Sequence, residues 1–240
     1  MRLENTRRTV VTLTFDNGPV SGVTERVLDT LEAHDVLAVF FVIGERAATP
    51  EGRVLVRRTV AAGHRVGAHT WRHVVPFGQL DDDAVRKEID DTSAVVAELG
   101  GDGSLFRPYG GGGVIDEHLM SESGAAHLRD RGDTCVLWHC VPRDWVDEHE
   151  WLPRALEHID THERSVVVLH DIPHAAAAHL DELLTALRRR DVEFSQDFPD
   201  DCTPIRRGEP TVSYSLLGVG EPAVSCPSPE VCLTIERHTR

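Results

Sequence analysis

Seven side chains in this 240-residue chain have the types and spacing for hydrolytic chemistry. Asp16 and Asn17 stand side by side in Thr14-Phe15-Asp16-Asn17-Gly18-Pro19, where Gly-Pro stops an apolar run abruptly. His69 and His73 are four residues apart, a spacing that lets two imidazoles share one transition metal if the chain turns helically between them. Arg107, Asp144 and His170 complete the set. A carboxylate can take a proton from water, and an imidazole can give one to a leaving group. Each signal has a plain alternative. Asp-Asn-Gly is also a common turn, and two of fourteen histidines can fall close together without purpose. No Glu follows the first histidine, so this is not the zincin pattern.

What raises these residues above chance is where they fall. The β-branched run 8–13 reads as a buried strand that delivers Asp16. Runs 38–43, 64–68, 104–106, 134–138 and 165–169 read as further strands, and 192–194 as a short last one. Three of these runs end directly at His69, Arg107 and His170, and Asp144 follows a fourth. Between them, residues 23–34, 50–62, 80–99, 115–131, 150–162 and 175–190 carry helical spacing. Asp81, Asp82 and Asp83 suit the positive end of the third helix better than a cation site. The glycines at 110–113 lack the Lys-Ser/Thr of a phosphate-binding loop and read as pliable backbone near the site. Alternating strands and helices indicate an α/β fold of parallel units with about seven strands, close to a full barrel. In a parallel barrel all strand C-termini share one face, so the polar groups should converge there.

A formal charge of −15 and a pI near 5.3 exclude the clustered cations that nucleic acid requires. The chain opens on a polar segment with no apolar leader and has no run long enough to span a bilayer, from which we expect a cytoplasmic protein with no membrane partner. Cys135, Cys140, Cys202, Cys226 and Cys232 are odd in number and form no CxxC, so reduced thiols are expected, with a Cys226–Cys232 disulfide as the alternative. From about residue 200 the periodicity dissolves. The expected division is a catalytic barrel over 1–207 and a tail over 208–240 that adds little to the core. Within the tail, 211–217 and 231–235 could form a small hairpin.

The same residues resemble the motifs of the polysaccharide deacetylases, the carbohydrate esterase family of the chitooligosaccharide deacetylase type. Thr14 to Pro19 resembles the family's Thr-Phe-Asp-Asp-Gly-Pro, and His69-Thr-Trp-Arg-His73 its His-Ser/Thr-x-x-His. Phe106-Arg-Pro-Tyr-Gly110 is similar to its arginine motif, Trp138 to Trp145 to its Trp-x5-Asp-Trp, and Leu169-His170 to its closing Leu-His. Five motifs appear in the family's order between about Val10 and Phe198. The resemblance implies a distorted (β/α) barrel that hydrolyses a non-peptide C–N bond, an N-acetyl group on a sugar or oligosaccharide. Carried over by position, it makes Asp16 the general base held by Arg107, and His170 the general acid tuned by Asp144. His69, His73 and Asn17 would be ligands to a divalent metal. The backbone N–H of Tyr109 would be an oxyanion donor, and Trp145 and Leu169 would form the acetyl pocket.

One position departs from that pattern. Where the family carries a second Asp, this chain has Asn17, which offers an oxygen but no charge. The expected consequence is a weakened site for Zn²⁺, with Co²⁺ or Ni²⁺ as alternatives. Two other readings stand beside it: a metal-free hydrolase of cyclic amides or imides of the allantoinase kind, and a non-catalytic carbohydrate-binding pseudo-deacetylase.

Overall fold

The computed structural model describes residues 8–147 and 149–220. The opening strand β1 (Val10–Asp16) is followed by α1 (Thr24–Ala33), β2 (Val39–Val42), α2 (Gly44–Ala47), α3 (Pro50–Ala61) and β3 (Arg65–Ala68). Then come α4 (Asp82–Glu98), β4 (Leu105–Phe106), α5 (Glu122–Asp130), β5 (Thr134–Cys135), α6 (Trp151–Thr161) and β6 (Arg164–His170). The chain closes with α7 (Leu180–Arg189), β7 (Glu193–Phe194), β8 (Ile205–Arg206) and β9 (Glu209–Pro210).

The sheet runs β6-β1-β2-β3-β4-β5-β8-β9, and β7 pairs with the start of β1. Strands β1 to β7 pair in parallel, whereas β8 and β9 join antiparallel at the β5 edge. Beyond β5 the chain returns to β6: Cys140 bridges Val167, with Cys140 N–H donating to Val166 O at 3.1 Å and Val168 N–H to Cys140 O at 2.9 Å. The sheet therefore curls into a distorted barrel, as expected for the fold class.

Local chemistry explains the helix starts. Thr49 accepts from Gly52 N–H with Pro50 just inside α3, and Ser121 accepts from Gly124 N–H at α5. Asp81 caps α4 by accepting from Ala84 N–H at 2.9 Å, and Asp82 and Asp83 lie in its first turn, so the acidic triplet is a helix start. β2 is buried along its whole length, which is why it reads as an unbroken apolar run. Phe15 and Phe40 stack across β1 and β2 with ring centroids 5.1 Å apart.

Three expectations need correction. The helix expected over 115–131 begins only at Glu122. The preceding stretch is loop, entered through left-handed Gly111, Gly112 and Gly113. Residues 211–217 form no strand; Tyr214–Leu217 is a short 3-10 helix. The described residues after 207 also contribute to the core. β9 pairs with β8 across the expected boundary, and Tyr214 and Leu217 lie in the main apolar cluster. Residues 231–235, Cys226 and Cys232 lie outside the described residues. Among the described residues, no helix is long and apolar enough to cross a membrane.

Candidate active site

Asp16 and His170 end adjacent parallel strands and are register partners, so their side chains leave the sheet in the same direction. Both line a cavity of about 190 Å³ together with Asn17, His69, His73, Tyr109 and Trp145. Arg107 and Asp144 lie directly behind this wall, each fully buried. Every residue expected at the site except Leu169 is therefore in or against one cavity. Leu169 is fully buried but faces away, because it alternates along β6 with Val168 and His170, both of which line the cavity. Val168 and Ile172 supply the apolar surface expected of Leu169, and period-two alternation from His170 was the signal for Val168.

Arg107 holds Asp16. Its Nη1 donates to Asp16 Oδ1 at 2.9 Å and to Thr14 Oγ1 at 2.7 Å, and its Nη2 donates to Leu137 O at 2.9 Å. The guanidinium lies 4.1 Å from the Phe41 ring centroid, a stacking geometry that suits a weakly hydrated cation. A fully buried charge requires such pairing.

His170 has its own carboxylate. Its Nδ1–H donates to Asp144 Oδ1 at 2.7 Å, while Asp144 Oδ2 accepts from the backbone N–H groups of His170 (2.9 Å) and Ala176 (3.0 Å). Burial works to lower the His170 pKa, but the hydrogen bond and charge of Asp144, with help from Asp16 and Asp171, outweigh it and raise it above the usual histidine value. Asp144 thus favours the protonated, proton-donating form of His170. The Trp145 ring meets it edge-on with centroids 4.6 Å apart.

The two remaining imidazoles behave in the opposite way. Burial, first among the causes, pushes His69 down to about 3, and burial followed by the charge of His69 pushes His73 down to about 3. Both are neutral. His69 Nδ1 faces the Arg107 carbonyl at 2.9 Å, so that nitrogen carries the proton and Nε2 keeps its lone pair. That lone pair stands 3.7 Å from Asp16 Oδ2. Because His69 is neutral, the approach is not an ion pair: two electron-rich atoms face a common gap. Asn17 takes a left-handed backbone (φ 73°), which Asn tolerates, and its Oδ1 is buried with no hydrogen-bond partner. A buried acceptor without a donor, beside two neutral imidazoles, is the donor set of a cation site. The residues present fit a divalent metal.

A second cluster that sequence reasoning missed is His139, Asp201 and Cys202, whose ligand atoms lie within 4.8 Å of one another. Here His139 Nδ1 accepts from Val166 N–H at 3.1 Å, so Nε2 bears the proton and donates to Asp201 at 3.1 Å. His139 has no lone pair left for an ion, and we read this cluster as structural. Cys140 and Cys202 are poor nucleophiles, since burial pushes Cys140 up to about 11 and Cys202 up to about 12.

A largely parallel barrel thus carries a carboxylate–arginine pair, a carboxylate–histidine pair and two neutral histidines at one end of its strands, the arrangement of a hydrolase scaffold. Residues 3–126 match the sequence family described as polysaccharide deacetylase, and the chain belongs to that family. The peptidoglycan-N-acetylglucosamine deacetylase of Listeria monocytogenes is 31% identical over 185 residues, which cover 77% of this chain but 37% of that protein. The chain thus spans little more than a third of that relative's length. Among solved structures, a family 4 acetyl xylan esterase from Clostridium thermocellum in complex with a cobalt ion aligns with TM-score 0.64 and 28% identity. The match covers 78% of this chain and 87% of that one. A family 4 carbohydrate esterase from Streptomyces lividans in complex with acetate aligns with TM-score 0.68 and 25% identity, covering 82% and 97%.

Proposed function

We propose that this protein hydrolyses the N-acetyl amide of an N-acetylated amino sugar or oligosaccharide with the help of a divalent metal. The observation that carries the reading is the pairing of Asp16 with His170 across one cavity, each held by its own buried counter-charge. Asp16 takes a proton from the attacking water, and Arg107 keeps its carboxylate aimed at the cavity. His170, protonated through Asp144, gives its proton to the leaving amine nitrogen. The Tyr109 backbone N–H has the oxyanion role that the family motif gives it. Val168, Ile172 and Trp145 surround the acetyl methyl.

His69, His73 and Asn17 would hold the metal. When bound there, a divalent metal supplies a Lewis acid beside the scissile amide and makes water a better nucleophile at neutral pH. The cobalt ion in the clostridial esterase supports this reading. The uncharged Asn17 makes the site weaker than one with a carboxylate, and selects no particular metal.

The test measures acetate release from short chitooligosaccharides and peptidoglycan fragments, with and without chelator, in wild type and Asn17→Asp. We expect chelator to abolish release. We expect Asn17→Asp to bind Co²⁺ or Zn²⁺ about 10–100-fold more tightly, the range typical of a change in the support around a metal. Full turnover in chelator, with Asp16→Asn inactive, would refute the metal reading and favour a metal-free cyclic amide hydrolase. No turnover on any amide, with sugar still bound, would favour a binding protein.

A further inference from the structure

The two histidines are placed by different means. His69 follows directly on β3, and its ring is fixed on the Arg107 carbonyl at 2.9 Å. His73 lies beyond the strand, on a loop whose backbone is left-handed at both Thr70 (φ 59°) and His73 (φ 55°). That conformation is unfavourable for a β-branched residue such as Thr70 and persists only where surrounding groups impose it.

Groups on two sides impose it here. On one side, the first backbone N–H groups of α2 hold the loop's carbonyls: Gly44 N–H donates to Thr70 O and Glu45 N–H to Trp71 O, both at 3.0 Å. The Trp71 ring lies so close over Gly44 that a Cβ there would come within 2.3 Å of it. On the other side stands Glu88 of α4, a carboxylate that is 3% exposed. Its Oε2 accepts from Trp71 N–H at 2.7 Å and Arg72 N–H at 2.9 Å, and its Oε1 accepts from Arg72 Nε at 3.0 Å. Within the loop, His73 N–H donates to Thr70 Oγ1 at 3.0 Å. The Trp71 and Arg72 amides between the two histidines are thus satisfied by one side chain, on a helix that has no other part in the chemistry.

We propose that Glu88 is the positioning residue of the metal-binding pair: its carboxylate fixes the 70–73 loop and so sets where His73 stands relative to His69. The inference rests on the metal reading above. It turns on reach, because Oε2 must bridge two consecutive amides from a helix axis that the packing of α4 fixes. The Glu88→Gln variant would keep that reach, with an amide oxygen in place of Oε2. Its NH₂ would face the Arg72 guanidinium, which is half in water and free to turn away. The Glu88→Asp variant would keep the charge but fall one methylene short.

The experiment titrates Co²⁺ into metal-stripped wild type, Glu88→Gln, Glu88→Asp and Arg72→Ala, following the visible d–d absorption and the binding heat, with near-UV circular dichroism reporting the fold. Glu88→Gln and Arg72→Ala should keep wild-type affinity, while Glu88→Asp should lose about 10–100-fold. Amide hydrogen exchange at Trp71 and Arg72 gives a second readout that does not need Glu88→Asp to fold. Protection at both sites in wild type and in Glu88→Gln is expected. Wild-type affinity in Glu88→Asp, equal losses in Glu88→Gln and Glu88→Asp, or rapid exchange of these amides in wild type would each overturn the proposal alone. A wild type that binds no Co²⁺ would overturn the metal reading along with it.

Discussion

Asp171→Asn should stabilise the protein, and only above mildly acidic pH. Asp171 follows His170 and is buried beneath the first turn of the site. Its Oδ2 accepts from Thr24 Oγ1 at 2.6 Å, while its Oδ1 has no partner. The carboxyl lies so close to Gly18 that a Cβ there would come within 2.0 Å of Oδ2. Burial, the leading cause, raises this carboxyl from 3.8 to about 7, against the opposing pull of Thr24 and His170. The unfolded chain gives up the proton near 3.8, whereas the folded chain keeps it to about 7. Between these values the unfolded state binds fewer protons, so folding loses free energy as pH rises. A difference of about 3 pH units at 1.36 kcal/mol each sets a ceiling of about 4 kcal/mol, fully lost by pH 7. Asn is isosteric and does not titrate. Its oxygen can accept from Thr24, and its NH₂ replaces an atom that already lacks a partner. The gain should fall between about 1 and 4 kcal/mol at pH 7.5 and vanish near pH 4. Urea unfolding of both proteins at intervals from pH 4 to 8.5 gives the difference directly. A stability difference that does not change with pH would refute the reasoning, because packing alone carries no proton dependence.

Two further outcomes follow from the geometry. His170 is raised above the usual histidine value chiefly by Asp144, so the alkaline limb of the kcat/KM profile should lie above pH 6.5 in wild type and move to lower pH in Asp144→Asn, where only the weaker charges of Asp16 and Asp171 oppose burial. At pH 8 that variant should lose on the order of 100-fold or more, the usual contribution of a general acid, and an unmoved limb would remove His170 from the role. Leu217→Ala should cost about 2–5 kcal/mol, read from the urea midpoint, because Leu217 is fully buried in the main cluster; a change below about 0.5 kcal/mol would show the 205–217 segment to be dispensable.

Much of the site could be read from the sequence because strand ends punctuate it. The apolar runs before Asp16, His69, Arg107 and His170 each stop at a polar residue, and a parallel sheet brings such residues to one rim. What escaped had no periodic signature. α2 has four residues, too few to show a helical repeat, and β8 and β9 have two each. Residues 115–121 carry apolar side chains at helical intervals, but three glycines before them take left-handed backbones and the chain reaches a cap only at Ser121. Glu88 and Asp171 look like ordinary charged residues in sequence. Only the fold reveals that one turns inward to a loop and the other lies under Gly18.

The pairing of Asp16 with His170 across β1 and β6 has a consequence for how such an enzyme changes over time. Adjacent strands are about 4.8 Å apart wherever they are hydrogen-bonded, so the spacing of the proposed base and acid is fixed by the sheet lattice. Insertions in the loop of Gly111, Gly112 and Gly113, or around Trp145, can widen, narrow or redecorate the cavity without altering that interval. The proton-transfer couple behaves as a fixed gauge, and the loops as interchangeable tooling set around it. A lineage can therefore trade one acylated substrate for another by remodelling the rim, while a one-residue slip of β6 against β1 would turn His170 to the opposite face and end turnover at once.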